Sequence, residues 1–177
     1  MKNNFEAQFV PFEATKEVKN GTALIFAPHP DDEVIGCGGA IIKHVENNDD
    51  VHVIILTDGC LGAPELNAAK GQVDDHDIRV KNYIKAREQE SKKAGSVLGY
   101  GEPDFWRIKD RTLEYNEKHI KMIKDLIEEL KPSSIYSPSI YEMHPDHKAL
   151  AITIIEALRR SQNRADLFMY DIGSPIP

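Results

Sequence analysis

Two short stretches of this chain combine histidines with carboxylates at spacings that suit a single metal ion. The first reads His-Pro-Asp-Asp-Glu from residue 29, and the second reads His-Pro-Asp-His from residue 144. In each stretch two potential ligands stand three positions apart, so one turn of chain brings them to about 5–6 Å on the same side. The four candidate ligands are His29, Asp32, His144 and His147. Imidazole and carboxylate together indicate Zn²⁺, or another first-row divalent ion such as Fe²⁺.

The number of ligands that bind decides between a structural and a catalytic site. Four protein ligands would close a tetrahedral sphere, which is typical of structural zinc, whereas a catalytic site keeps one position for water. Spacing alone leaves open which group stands off the metal. The catalytic alternative gives the remaining acids a use, because metal-assisted hydrolysis needs a carboxylate base, an imidazolium for the oxyanion and the leaving amine, and a carboxylate that orients it.

A structural interpretation of the acids is the alternative. Asp31, Asp32 and Glu33 precede one helical pattern and Asp146 precedes another, so all four fit helix caps or first-turn residues. Capping does not explain His29, however, and two His-Pro-Asp stretches at the ends of neighbouring strands favour a shared site.

The elements that must position these residues are strands alternating with helices, a pattern that predicts βαβ units. Strands are predicted at residues 22–27, 51–57, 104–108, 134–137 and 166–172. Helices are predicted near residues 35–47, 79–98, 116–130 and 145–161. The expected fold class is α/β, a three-layer Rossmann-like fold with a mainly parallel sheet of about five strands. With strand order 3-2-1-4-5, both His-Pro-Asp stretches follow neighbouring strands at the point where ligands bind in such sheets.

Composition excludes several partners. Acidic residues outnumber basic ones by 29 to 22, the formal net charge is -7, and Lys and Arg form no long run. Nucleic acid and anionic membrane are therefore not expected as partners. The chain contains neither a signal-peptide pattern nor a long apolar run, so we expect a cytoplasmic protein. We expect a single domain over residues 1–177, with residues 1–20 as an N-terminal extension; a homo-oligomer is left open.

The two motifs resemble those of the LmbE-like (PIG-L) family of metal-dependent N-acetylglucosaminyl deacetylases. The resemblance runs from about residue 22 to residue 175. It implies that Zn²⁺ is held by His29, Asp32 and His147, with a water completing the sphere. It implies that Asp31 is the general base. It also implies that His144 stays off the metal to stabilise the oxyanion and protonate the amine, oriented by Asp146.

The resemblance extends to two candidate substrate contacts. Arg87 matches an arginine that contacts sugar hydroxyls in the family, and Glu90 is expected to brace it; the alternative is an arginine that extends from an apolar stripe into solvent. Asp110 falls in a segment where the family usually reads Pro-Asp-Gly-x-Leu. Asp110 and Leu113 match, but the Pro and Gly positions do not. Asp110 is expected to bind a sugar hydroxyl.

The resemblance implies a hydrolase that removes an N-acetyl group from an N-acetylated amino-sugar substrate through a Zn²⁺-activated water. One alternative is an amidase of the same fold that acts on thiol conjugates or other N-acyl metabolites. Another is a non-catalytic sugar-binding module whose metal is structural. Family domains commonly continue beyond the last predicted strand, so the chain is either a short member or a piece of a longer polypeptide.

Two further segments, a glycine cluster and a long connection, each allow more than one interpretation. The glycines of residues 36–39 do not fit a dinucleotide-binding fingerprint, so we expect them to pack the first helix against the sheet. The connection at residues 58–77 is long for its place, which indicates a lid or binding loop, or disorder.

Overall fold

Strands and helices alternate along the described part of the chain. The computed structural model describes residues 17–62 and 77–173. The strands are β1 (Ala23–Ala27), β2 (Val51–Thr57), β3 (Asp104–Ile108), β4 (Ser134–Pro138) and β5 (Asp166–Tyr170). The helices are α1 (Asp32–Glu46), α2 (Ile78–Leu98), α3 (Glu117–Leu130) and α4 (Pro145–Arg160), with a single 3₁₀ turn (Cys60–Gly62) after β2. Most of the predicted N-terminal extension (residues 1–16) and most of the predicted loop at 58–77 lie outside the described residues.

All neighbouring strands pair in parallel, in the order β3-β2-β1-β4-β5. This confirms the predicted fold class and strand order. Strand β1 is buried along its whole length, because it lies at the centre of the sheet with helices on both faces. The carboxyl ends of β1 and β4 are adjacent, so the loops that follow them meet at one edge.

Alternation along β1 divides the core into two layers. Leu24 and Phe26 belong to the cluster that includes α3 and α4, whereas Ala23, Ile25 and Ala27 belong to the cluster that includes α1. Helix α2 packs against α1 from outside. Since successive side chains of a strand point to opposite faces, one apolar strand supplies both cores.

Helix α1 begins at Asp32, three residues before the predicted start. The preceding residue, Asp31, has φ 110 and turns the chain, and its carbonyl accepts hydrogen bonds from Val34 (2.9 Å) and Ile35 (3.0 Å). The first turn is acidic rather than apolar, which is why hydrophobic periodicity placed the start too late. The expectation that these acids are N-cap and first-turn residues is confirmed for their positions, because Asp31 is the N-cap and Asp32 and Glu33 lie in the first turn, but the Asp31 side chain makes no capping hydrogen bond.

Packing explains one of the predicted glycines. A Cβ on Gly36 would lie 2.2 Å from Cδ2 of Tyr170, so only glycine lets α1 approach β5 this closely. A Cβ on Gly39 would meet nothing within 4 Å, and for that glycine the packing prediction is wrong.

Candidate metal centre and adjoining cavity

Three of the predicted ligands meet above the ends of β1 and β4. His29 lies in the loop after β1, Asp32 is the first residue of α1, and His147 lies in the first turn of α4. The Nδ1 atom of His29 is 3.1 Å from Oδ2 of Asp32 and 3.3 Å from Nε2 of His147. The same Oδ2 lies 3.2 Å from Nε2 of His147. One carboxylate oxygen and two ring nitrogens therefore form a nearly equilateral triangle.

This triangle fits a tetrahedral metal ion. Bonds of about 2.0–2.1 Å at tetrahedral angles place ligand atoms roughly 3.3 Å apart. Two looser sets, whose donor atoms lie within 4.8 Å of one another, are also present among the described residues: His29 with His144 and His147, and His29 with Asp110 and Asp146. The tighter triangle leaves His144 outside it, which matches the ligand set implied by the family resemblance.

Carboxylates surround His29 on its other side. Its Nε2 lies 3.2 Å from Oδ2 of Asp146 and 3.4 Å from Oδ1 of Asp110. Burial disfavours the charged ring, but hydrogen bonds to Asp110, Asp146 and Asp32 outweigh it and raise the pKa of His29 to about 11. Burial likewise opposes the Asp32 carboxylate, whereas hydrogen bonds from His147 and His29 hold its pKa well below the usual range. The cluster therefore favours a positive charge at this position.

The structure assigns Asp146 a different partner from the one predicted. Its carboxylate is fully buried and accepts hydrogen bonds from the amides of Arg111 (2.7 Å) and Leu113 (3.3 Å), besides its contact with His29. The ring of His144 is held instead by the backbone of Asp146, whose N–H donates to Nδ1 over 3.3 Å. His144 is thus the cap of α4, and the expectations that Asp146 caps this helix and that its side chain orients His144 are wrong.

Asp31 and Arg87 form one unit at the edge of the centre. Nη2 of Arg87 lies 2.6 Å from Oδ2 of Asp31 and also donates to the Pro30 carbonyl. Nη1 of Arg87 donates to Glu90 over 2.9 Å, which confirms that Glu90 braces it. The arginine does not extend into solvent, because three partners hold its guanidinium. The Asp31 carboxylate remains 46% exposed, so it is open to a water or a substrate.

Glu33 holds the strained peptide of Asp31. Its carboxylate is fully buried, and Oε2 accepts the Asp31 N–H over 3.0 Å. A positive φ is costly for a residue other than glycine. The buried hydrogen bond from Glu33 helps to maintain that conformation, so its role at the helix start is to fix the Asp31 backbone.

A cavity of about 400 Å³ opens beside the centre. This size is in the range of small-molecule sites. Its walls include His29, Asp31, Tyr83, Arg87, Asp110, Arg111 and His144. The structure therefore brings every predicted catalytic and substrate-binding residue to the cavity wall except Asp146, which lies behind His29.

Asp110 is placed mainly to support the centre. It is 5% exposed, its Oδ2 accepts the Leu61 N–H over 2.9 Å, and its Oδ1 faces His29. The sugar-hydroxyl contact expected of Asp110 stays a prediction, because little of its carboxylate reaches the cavity.

Two residues beside the centre were not found from the sequence. Glu142 is 3% exposed, and its Oε2 lies 3.8 Å from Nδ1 of His147. Tyr83, on α2, lines the cavity next to Arg87. Glu142 stands two residues before His144 in the chain, and an acid so close to a ligand motif is the only signal that could have pointed to it.

Comparison with known proteins agrees with the geometry. Residues 24–158 match the family model described as PIG-L, GlcNAc-PI de-N-acetylase. The chain belongs to the PIG-L family. Because the match spans β1 to α4, it includes both His-Pro-Asp motifs, the cavity and most of the sheet, and it confirms the resemblance noted from the motifs.

Two relatives of this PIG-L domain are named as deacetylases. It is 32% identical over 164 residues to diacetylchitobiose deacetylase of Thermococcus kodakarensis, covering 89% of this chain and 56% of the relative. It is 34% identical over 139 residues to a probable N-acetyl-alpha-D-glucosaminyl L-malate deacetylase 2 of Bacillus anthracis, covering 76% of this chain and 58% of that protein. The chain thus spans somewhat more than half the length of these relatives.

A solved structure supports the fold. The N,N'-diacetylchitobiose deacetylase of Pyrococcus horikoshii superposes with a TM-score of 0.73 at 24% identity, covering 84% of this PIG-L domain and 60% of that chain. Among the described residues, no helix combines the length and the apolar character needed to cross a membrane.

Proposed function

We propose that this PIG-L domain is a zinc-dependent hydrolase that removes the N-acetyl group from an amino-sugar conjugate of the N-acetylglucosamine type. The observation that carries the proposal is the triangle of donor atoms from His29, Asp32 and His147, whose edges of 3.1, 3.2 and 3.3 Å suit tetrahedral zinc. The relatives named for deacetylation of N-acetylated sugars support the substrate class.

His29, Asp32 and His147 would hold the metal, which when bound lowers the pKa of a water to about 7 and polarises the amide carbonyl. Asp31 acts as the general base. Its exposed carboxylate lies on the cavity wall, and Arg87 fixes its position through the 2.6 Å ion pair. The proton that Asp31 takes from the attacking water is the one that later passes to the departing amine, so the carboxylate is restored when the reaction is complete.

His144 serves the carbonyl oxygen of the substrate. Burial and the neighbouring rings of His29 and His147 lower the pKa of His144. Because Nδ1 accepts the Asp146 N–H, the neutral ring carries its hydrogen on Nε2. That N–H donates to the oxyanion as negative charge develops. Because a neutral imidazole has no second proton to give, the departing amine takes its proton from Asp31 and not, as the family resemblance implies, from His144.

The state of the two cysteines bears on the cellular compartment of the protein. Both cysteines, Cys37 and Cys60, are buried and unpaired, which supports a reducing, cytoplasmic location. The partner is an N-acetylated amino-sugar substrate, and a homo-oligomer stays open.

Acetate release tests the proposal. Zinc-loaded protein should release acetate from N-acetylglucosamine conjugates, and chelation should abolish the activity. Asp31→Asn should lower kcat at least 100-fold, the scale of lost general-base catalysis. Asp125→Asn, at an exposed carboxylate of α3, is the matched control and should leave kcat unchanged.

The alternatives predict other results. Acetate or acid release from S-conjugated or other N-acyl substrates alone would favour the amidase alternative. Sugar binding without release of acetate from any substrate would show a non-catalytic module.

A further inference from the structure

Arg111 stands in a backbone conformation that favours glycine. Its φ is 62, in the left-handed region. This is also the position where the sequence departs from the Pro-Asp-Gly-x-Leu pattern, with arginine in place of glycine. Glycine would adopt this conformation without strain, so the backbone does not require arginine here.

Arg111 is one of the residues that line the cavity. The residue is exposed, and its backbone N–H donates to Oδ2 of Asp146 over 2.7 Å. Among residues 17–62 and 77–173, no hydrogen bond or ion pair engages the guanidinium. Arg87, the other arginine of the wall, is held by Asp31, Glu90 and the Pro30 carbonyl.

We propose that Arg111 forms a subsite for an anionic group, a carboxylate or a phosphate, on the aglycone of the substrate; this rests on the proposed function. A free guanidinium presents donors in a fork that matches carboxylate and phosphate oxygens. Three acids also line the cavity and would repel such a ligand, namely Asp31, Asp32 and Asp110. The second arginine of the wall, Arg87, already has its charge balanced by Asp31 and Glu90. Arg111 is therefore the group that selects a conjugate carrying negative charge.

A matched pair of glycosides tests this subsite. The carboxymethyl glycoside of N-acetylglucosamine carries one negative charge, and the carbamoylmethyl glycoside is nearly isosteric and neutral. Wild-type protein should prefer the charged glycoside in kcat/KM by about tenfold, the scale of one charge-assisted hydrogen bond. Raising the salt concentration should reduce this preference, because the contact is exposed. A phosphoethyl glycoside and its neutral methyl phosphonate diester analogue extend the comparison from carboxylate to phosphate.

Two substitutions of Arg111 keep the test independent of folding. Arg111→Gly suits the left-handed backbone and should retain the wild-type melting temperature, and Arg111→Gln removes the charge alone. Both should abolish the preference for charged glycosides. Arg164→Gln is the control for net charge, because Arg164 is exposed and outside the cavity wall. It should retain the preference.

Binding of the same glycosides to Asp31→Asn protein, measured by NMR titration, separates this inference from the proposed function. The inference is overturned if wild-type protein shows no preference for the charged glycoside. It is also overturned if both Arg111 variants keep that preference. An equal loss of affinity for the charged and the neutral glycoside in Arg111→Gln also overturns the inference. The arginine would then only offset the negative charge of the acids on the cavity wall. Arg111-dependent preference in binding without acetate release supports the subsite and overturns the proposed function, whereas failure of both glycosides to bind overturns both.

Discussion

The ring of His147 has one nitrogen in the proposed ligand triangle and another, Nδ1, that is buried without a hydrogen-bond partner. A carboxylate oxygen, Oε2 of Glu142, lies 3.8 Å from this Nδ1 atom. Metal-bound histidines almost always donate their second N–H to a carboxylate, carbonyl or water. Glu142 is therefore placed to orient His147 as Asp146 orients His29.

Glu142→Gln should weaken zinc binding by about 10- to 100-fold, the usual effect of losing such a carboxylate. The variant keeps an amide oxygen for the N–H groups of Ile172 and Gly173, which Oε1 of Glu142 accepts. Competition with a chromophoric chelator measures the affinity. Glu129→Gln, at an exposed position of α3, is the control. Unchanged affinity in Glu142→Gln would show that this carboxylate serves only the segment after β5.

Individual residues were predictable where short-range spacing determines the geometry. The separations of His29 from Asp32 and of His144 from His147 indicated a shared metal, and the family resemblance selected three ligands. The role of Asp146 was not predictable, because its partners, the amides of Arg111 and Leu113, come from the loop after β3. Contacts between distant loops leave no periodic signal in the sequence.

At the scale of elements, one glycine sets the distance between α1 and β5. Gly36→Ala should destabilise the fold by about 1–3 kcal/mol, the cost of overpacking, because the new methyl group would overlap the Tyr170 ring. Denaturant unfolding measures the loss. Gly39→Ala lies in the same helix with open space around it and should instead stabilise the protein by up to about 1 kcal/mol. Equal effects of the two substitutions would contradict the packing account.

Element boundaries were predicted less well than element order. Strand and helix types followed from apolar periodicity, but α1 starts three residues early because Asp31 turns the chain with φ 110 and places Asp32 in the first helical turn. The first turn of α1 therefore contains acidic residues of the site, where apolar residues would have indicated the start of the helix. For the same reason, sequence patterns located the site well and the first turn of its helix poorly.

For the whole molecule, the sheet order β3-β2-β1-β4-β5 determines where the candidate site lies. It brings the loops after β1 and β4 together, and it adds the loop after β3, which supplies Asp110 and Arg111. The first contribution was predictable from topology rules for parallel sheets. The cavity itself was not, because its walls combine side chains from α2 with residues of four separate loops, those that follow β1, β2, β3 and β4.

The metal content of purified protein, equilibrated with Zn²⁺ and then dialysed, tests the central claim most directly. Elemental analysis should find one zinc per chain in wild type and in Asp31→Asn, since Asp31 lies outside the ligand triangle. It should find little zinc in Asp32→Ala, which lacks the shared ligand oxygen. Full zinc content in Asp32→Ala, or its loss in Asp31→Asn, would contradict the assignment of His29, Asp32 and His147 as the metal-binding set.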